Sequence, residues 1–109
     1  MALFYQDYLD MFDCLEAQGA DFLIVGAFAM AHFGYIRATG DIDIWVAATE
    51  SNSPKVFQAL KVFGSPLFEI HENYFSKSGN FLQIGLPPSR IDILTKIDGV
   101  SHQDAFSSK

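Results

Sequence analysis

The chain opens with apolar residues at helical spacing, Phe4, Tyr8, Met11, Phe12 and Leu15, while Asp7, Asp10, Asp13 and Glu16 share another face. This predicts an amphipathic helix running to about Gln18 and stopped by Gly19. Phe22-Leu-Ile-Val25 is a short unbroken apolar run, the pattern of a strand buried on both faces. Gly26 ends it, and the helix formers of Ala27 to Phe33, with Gly34 as a C-cap residue, predict a short helix. From Asp41 to Val46 acidic and apolar residues alternate and then turn wholly apolar, which predicts a second strand. Ser53 and Pro54 form an N-cap and first-turn pair, and Val56, Phe57, Leu60 and Phe63 make a stripe ending at Gly64, so another helix is expected there. Residues 65–80 follow no single period. Leu67 to Ile70 and Asn73 to Phe75 suit either short strands or loop, and Ser78-Gly-Asn80 signals a turn. Phe81 to Leu86 and Arg90 to Thr95 predict two strands joined by a tight connection that the Pro87-Pro88 corner keeps from being helical. The tail from Asp98 onward is polar and predicts no element. The sum is a two-layer α/β (α+β) fold, a mixed sheet with helices packed on one side.

Length and composition narrow the classes. A chain of 109 residues suits one compact domain spanning 1–109, and no repeat or linker suggests a second module. Half the residues are hydrophobic, with eleven Phe, which argues for a dense aromatic interior and against disorder. No apolar run reaches the roughly twenty residues that span a bilayer, and the first ten residues lack the basic segment and cleavage site of a signal peptide. A cytoplasmic protein with no membrane partner is expected. Cys14 is the single cysteine, so no internal disulfide forms and no Cys/His cluster offers a zinc site. Seven Lys and Arg against thirteen Asp and Glu leave a formal charge of −6. That balance disfavours a long nucleic-acid footprint, so any nucleic-acid partner must be gripped locally.

The candidate chemistry lies in three aspartates. Strand alternation puts Asp41 and Asp43 on one face, with Cα atoms about 6.6 Å apart, and turns Ile42 and Ile44 toward the core. Asp92, in Arg90-Ile-Asp-Ile-Leu94, repeats the pattern on another strand. These carboxylates are either ordinary solvent-facing charges or an oxygen donor set for magnesium or manganese. Aspartate is disfavoured in strands and like charges on neighbouring strands repel, so a cation that neutralises them favours the metal reading. At the Gly26-Ala27 junction a buried strand enters a helix. Its free N–H groups and positive dipole end either receive a phosphate or the glycine simply makes a tight turn. For that junction to face Asp41, the first two strands must run antiparallel.

Taken in order, Val25-Gly26-Ala27, Asp41-Ile-Asp43 fourteen residues after the junction, and Ile91-Asp92-Ile93 resemble the DNA polymerase beta-type nucleotidyltransferase superfamily over most of the chain. The stretches Gly34 to Asp43 and Ile84 to Thr95 look like its small bacterial branch of abortive-infection toxins and minimal nucleotidyltransferases of toxin–antitoxin pairs. The resemblance implies that Asp41 and Asp43 bind both catalytic metal ions, Mg2+ or Mn2+, and that Asp92 completes the site on the acceptor side as a metal-assisted base. Gly26 and the backbone after it would hold a nucleoside triphosphate. The implied reaction transfers a nucleoside monophosphate to an acceptor hydroxyl on an RNA end such as tRNA, a protein or a small molecule, with pyrophosphate leaving. Two departures stand out: Ala27 replaces the usual Gly or Ser, and the sequence ends soon after Asp92, where many relatives carry a helical domain. They favour an alternative, a non-catalytic nucleotide- or metal-binding subunit acting through a partner protein or as a homo-oligomer.

Arg37, four residues before Asp41, is either a triphosphate contact or a surface arginine, and Thr39 is a weaker polar candidate. Arg90 and Lys96 bracket the Asp92 strand and read as solvated or salt-bridged groups outside the site. His32 reads as packing, while His71 and His102 carry no argument. Ser89 and Cys14 have no visible base, so nucleophilic catalysis is not expected.

Overall fold

The computed structural model describes residues 5–25, 41–67, 70–86, 89–97 and 106. In chain order its elements are helix α1 (Tyr5–Ala17), strands β1 (Phe22–Val25) and β2 (Asp41–Val46), helix α2 (Ser53–Phe63), a 3₁₀ turn at Tyr74–Ser76, and strands β3 (Phe81–Leu86) and β4 (Ser89–Leu94). The helix expected at 27–33, the Pro87-Pro88 corner and the tail other than Phe106 lie outside the described residues.

The strands form one sheet in the order β1-β2-β4-β3. β1 pairs antiparallel with β2, β2 parallel with β4, and β4 antiparallel with β3, so the sheet is mixed. The antiparallel β1–β2 pair is the arrangement required for the end of β1 to approach the start of β2. A parallel β2–β4 pair needs a crossover, and the chain between them carries α2.

Period-two alternation divides the sheet into two unlike faces. Ile42, Ile44 and Val46 of β2, Ile84 of β3, and Ile91 and Ile93 of β4 are buried on one face. They share a core with Tyr8, Met11 and Leu15 of α1 and with Val56, Ala59 and Leu60 of α2. Both helices therefore cover one side of the sheet. Each such isoleucine contributes about 1.5–3 kcal/mol by leaving water, which is why these positions admit little but branched apolar side chains. Among the described residues no helix is long and apolar enough to cross a membrane.

Helix α2 begins differently from its sequence signal. Its N-cap is Asn52, whose side chain makes no capping bond. Asn52 Oδ1 instead accepts the Asp21 N–H at 2.7 Å, and its Nδ2 donates to the carbonyls of Asp21 and Ala47, each at 3.0 Å. One buried amide thereby ties the entry of β1 to the exit of β2. Ser53, expected as the cap, donates its hydroxyl to the Glu72 carbonyl at 2.6 Å and accepts the Phe75 N–H at 2.9 Å. Long-range backbone groups outcompete the local capping bond for both side chains. Pro54 occupies the first turn as expected, and Gly64, at φ +94°, ends the helix in the left-handed region. In the ambiguous 65–80 stretch the structure has the 3₁₀ turn, with Phe75 buried beneath α2.

Candidate carboxylate site

The sheet face turned away from the helices carries the polar residues. Strand register makes Asp43 and Asp92 direct partners on the parallel pair β2–β4, with Cα atoms about 4.8 Å apart at the usual interstrand spacing. Val25 flanks Asp43 from β1 and Gln83 flanks Asp92 from β3. One row along, toward the start of β2, Asp41 is in register with Arg90, and Arg90 with Gly85. In the other direction lies an apolar row, Leu23, Trp45, Leu94 and Phe81. Trp45 is buried and meets the Phe106 ring edge-on at 5.3 Å.

Two of the expected ligands are thus brought together. Asp43 and Asp92 share a face and a register position, and Asp41 occupies the next same-face position on β2 by backbone placement. The Asp41 side chain, Gly26, Ala27 and Arg37 lie outside what is described, as do His32, Thr39 and His102. Among the described residues no group of three His, Cys, Asp or Glu side chains is placed to hold a metal.

Arg90 belongs to this site, although its position at a strand end marked it as a bystander. Its Nε donates to Asp92 Oδ1 at 3.0 Å, and its Nη2 approaches Oδ2 at 3.5 Å. The carboxylate is 13% exposed and the guanidinium 30%, so the pair is shielded enough to be stronger than a loose surface bridge. The signal that finds it is the same alternation that finds the aspartates: residues two apart on a strand share a face. Opposite Arg90, Gly85 has φ +98°, a backbone that favours glycine.

The donor chemistry fits a hard divalent cation. Asp43 and Asp92 offer only oxygen, on adjacent strands of a rigid sheet, with Asp41 as the third position of the set. Asp92 already holds one cationic partner in Arg90, which offsets its charge. Elsewhere, burial pushes the Cys14 thiol above its ordinary pKa, with Asp10 and Asp13 adding to the effect, and the side chain packs against the core. Comparison of the chain with models of protein families, with curated proteins and with solved structures finds no match.

Proposed function

We propose that this protein is a divalent-metal-dependent nucleotidyltransferase that moves a nucleoside monophosphate from a nucleoside triphosphate to an acceptor hydroxyl. What carries the reading is the register partnership of Asp43 and Asp92, with Asp41 two residues before Asp43 on the same strand. In it, Asp41, Asp43 and Asp92 would hold Mg2+ or Mn2+, which when bound would supply positive charge that offsets the charge of the phosphoryl group in transfer. Asp92 takes up the proton of the acceptor hydroxyl, and Arg90 orients that carboxylate through the Nε–Oδ1 bond. The Gly26-Ala27 backbone and Arg37 receive the triphosphate. A cytoplasmic toxin or phage-defence setting goes with the same reading.

The chain is tested by incubating it with magnesium, each labelled nucleoside triphosphate in turn and a cell extract. One nucleotide is expected to label a discrete acceptor, and Asp43→Asn to lower labelling by at least about a hundredfold, the scale of removing a group that stabilises transition-state charge. Labelling that persists in Asp43→Asn would contradict the proposal.

The Arg90–Asp92 pair favours a second reading, because it neutralises Asp92 without any metal. In that reading the domain is a non-catalytic nucleotide- or metal-binding subunit that acts through a partner protein. Magnesium-dependent triphosphate binding without labelling of any acceptor would favour it.

A further inference from the structure

The helical side of the molecule carries a groove of its own. Asp7, Asp10, Asp13 and Cys14 of α1 and Val62 and Phe63 of α2 border a cavity of about 320 Å³. Cys14 and Phe63 are half-buried and pack against the core, so they make an apolar floor. Val62 rises beside them at 60% exposure, the most exposed large hydrophobic side chain among the described residues. An exposed valine alone is ordinary, but one continuous with a half-buried phenylalanine in a cleft is a seat for apolar side chains. Asp10 and Asp13 are exposed along the α1 side, and none of the described residues lining the groove is basic.

The charges on α1 work against the helix that carries them. Asp7, Asp10, Asp13 and Glu16 follow one another at three-residue spacing, at which like charges repel. Asp13 and Glu16 lie in the second half of α1, where the helix dipole disfavours carboxylates, and the last turn has no basic residue. The groove feels this charge, since Asp10 and Asp13 both add to the rise in the Cys14 pKa that burial begins. Asp10 accepts a bond from the Gln6 amide at 3.0 Å, a neutral donor that leaves the charge in place. We propose that this groove docks a basic amphipathic helix of another protein, its apolar stripe on Val62 and Phe63 and its Lys or Arg residues against Asp10 and Asp13.

Charge complementarity selects that occupant. A cationic helix offsets the repulsion within α1, whereas a second copy of a chain with net charge −6 would add to it. An apolar floor beside a charged rim is also what a helix laid in a groove requires, with anchors on one face and polar contacts at its edge. The cavity lies near the lower end of the roughly 300–1,000 Å³ of ligand clefts, so it seats the anchoring side chains of a larger partner. Because α1 and α2 cover the isoleucine face, the groove is on the opposite side of the sheet from Asp43 and Asp92. A partner docked there leaves the carboxylate face open and needs no nucleotide.

The probe is a fluorescein-labelled peptide of about five helical turns, with leucines along one stripe, lysines beside it and alanines elsewhere. Titrated with the full chain at low salt and followed by anisotropy, it is expected to bind. Val62→Ser is expected to weaken binding about tenfold, the scale of one apolar anchor. Asp10→Asn with Asp13→Asn is also expected to weaken it about tenfold. The same double variant should raise the Tm of the free protein by about 2 °C, as repulsion within α1 is relieved. Glu50→Gln with Glu72→Gln removes as much charge from exposed positions outside the groove, and should leave affinity within about twofold. Thermal melting of every variant, all at exposed positions, verifies the fold. No binding by the parent, unchanged binding in the groove variants, or an equal loss in the Glu50 and Glu72 variant would overturn the assignment. So would a lower Tm in the Asp10 and Asp13 variant, which would make those carboxylates structural. A dimer in sedimentation that Val62→Ser dissociates would also overturn it, because the groove would then belong to a second copy.

Discussion

Arg90 and Asp92 stand two residues apart on β4, and their ion pair sets how the site behaves before any ligand binds. Asp43 is the register partner of Asp92, so removing the guanidinium leaves two carboxylates side by side on adjacent strands. Arg90→Gln is therefore expected to destabilise the metal-free protein by about 1 kcal/mol, a fall in Tm of about 4–8 °C for a chain of this size. It is also expected to tighten magnesium binding about fivefold, because the ion no longer competes with a resident cation of that worth. Thermal melts with and without magnesium read both effects. A variant that melts lower yet binds magnesium no better would make Arg90 purely structural. Cys14 offers a second check at this scale. With its pKa raised by burial and by Asp10 and Asp13, the thiolate is scarcer at neutral pH than in a free cysteine. Alkylation at pH 7.5 is expected to run slower than for glutathione and to accelerate as pH rises past the ordinary thiol range. Alkylation as fast as glutathione's would contradict a raised thiol pKa.

Among the elements, the strands and α2 were legible in the sequence because each is short and strongly patterned. Phe22–Val25 and Asp41–Val46 begin and end where the apolar run and the acidic-apolar alternation do. The antiparallel β1–β2 pair is what lets the end of one strand approach the start of the other. The stretch from 65 to 80 was not legible, because its buried residue, Phe75, is fixed by a distant partner, Ser53, and not by any local period. The cap of α2 was misread for the same reason: Ser53 satisfies every local rule for an N-cap, but its hydroxyl is engaged by Glu72 and Phe75. Asn52 carries the greater structural consequence. Asn52→Ala leaves the Asp21 N–H and the Ala47 carbonyl without the buried amide, at a cost of about 2–3 kcal/mol that denaturant unfolding should register. Ser53→Ala should cost about 1–2 kcal/mol, since it strands the buried Phe75 N–H and removes the donor to the Glu72 carbonyl. A smaller loss for Asn52→Ala than for Ser53→Ala would mean that the tie between β1 and β2 is not what holds this end of the sheet.

For the whole molecule, one sheet serves two purposes by virtue of its two-residue period. The face toward α1 and α2 buries the isoleucines, and the other gathers Asp43, Asp92 and Arg90, with the position of Asp41 beside them. The radius of gyration, 13.1 Å, matches the roughly 13 Å of a folded chain of this length, so the polar face is presented by a compact body. The carboxylate pair was legible because alternation fixes faces, whereas register is a property of two strands at once, and only the fold set Asp43 opposite Asp92. Arg90 shows the limit from the other side, since its place on the face was readable but its choice of Asp92 as partner was not. The central claim is that these carboxylates form a metal site for a nucleotide. Calorimetric titration of the protein with nucleoside triphosphates, with and without magnesium, tests it most directly. Binding that requires magnesium, and that is lost in Asp43→Asn and in Asp92→Asn while both variants remain folded, is the expected result. Triphosphate binding indifferent to magnesium, or no binding to the folded protein at all, would contradict it.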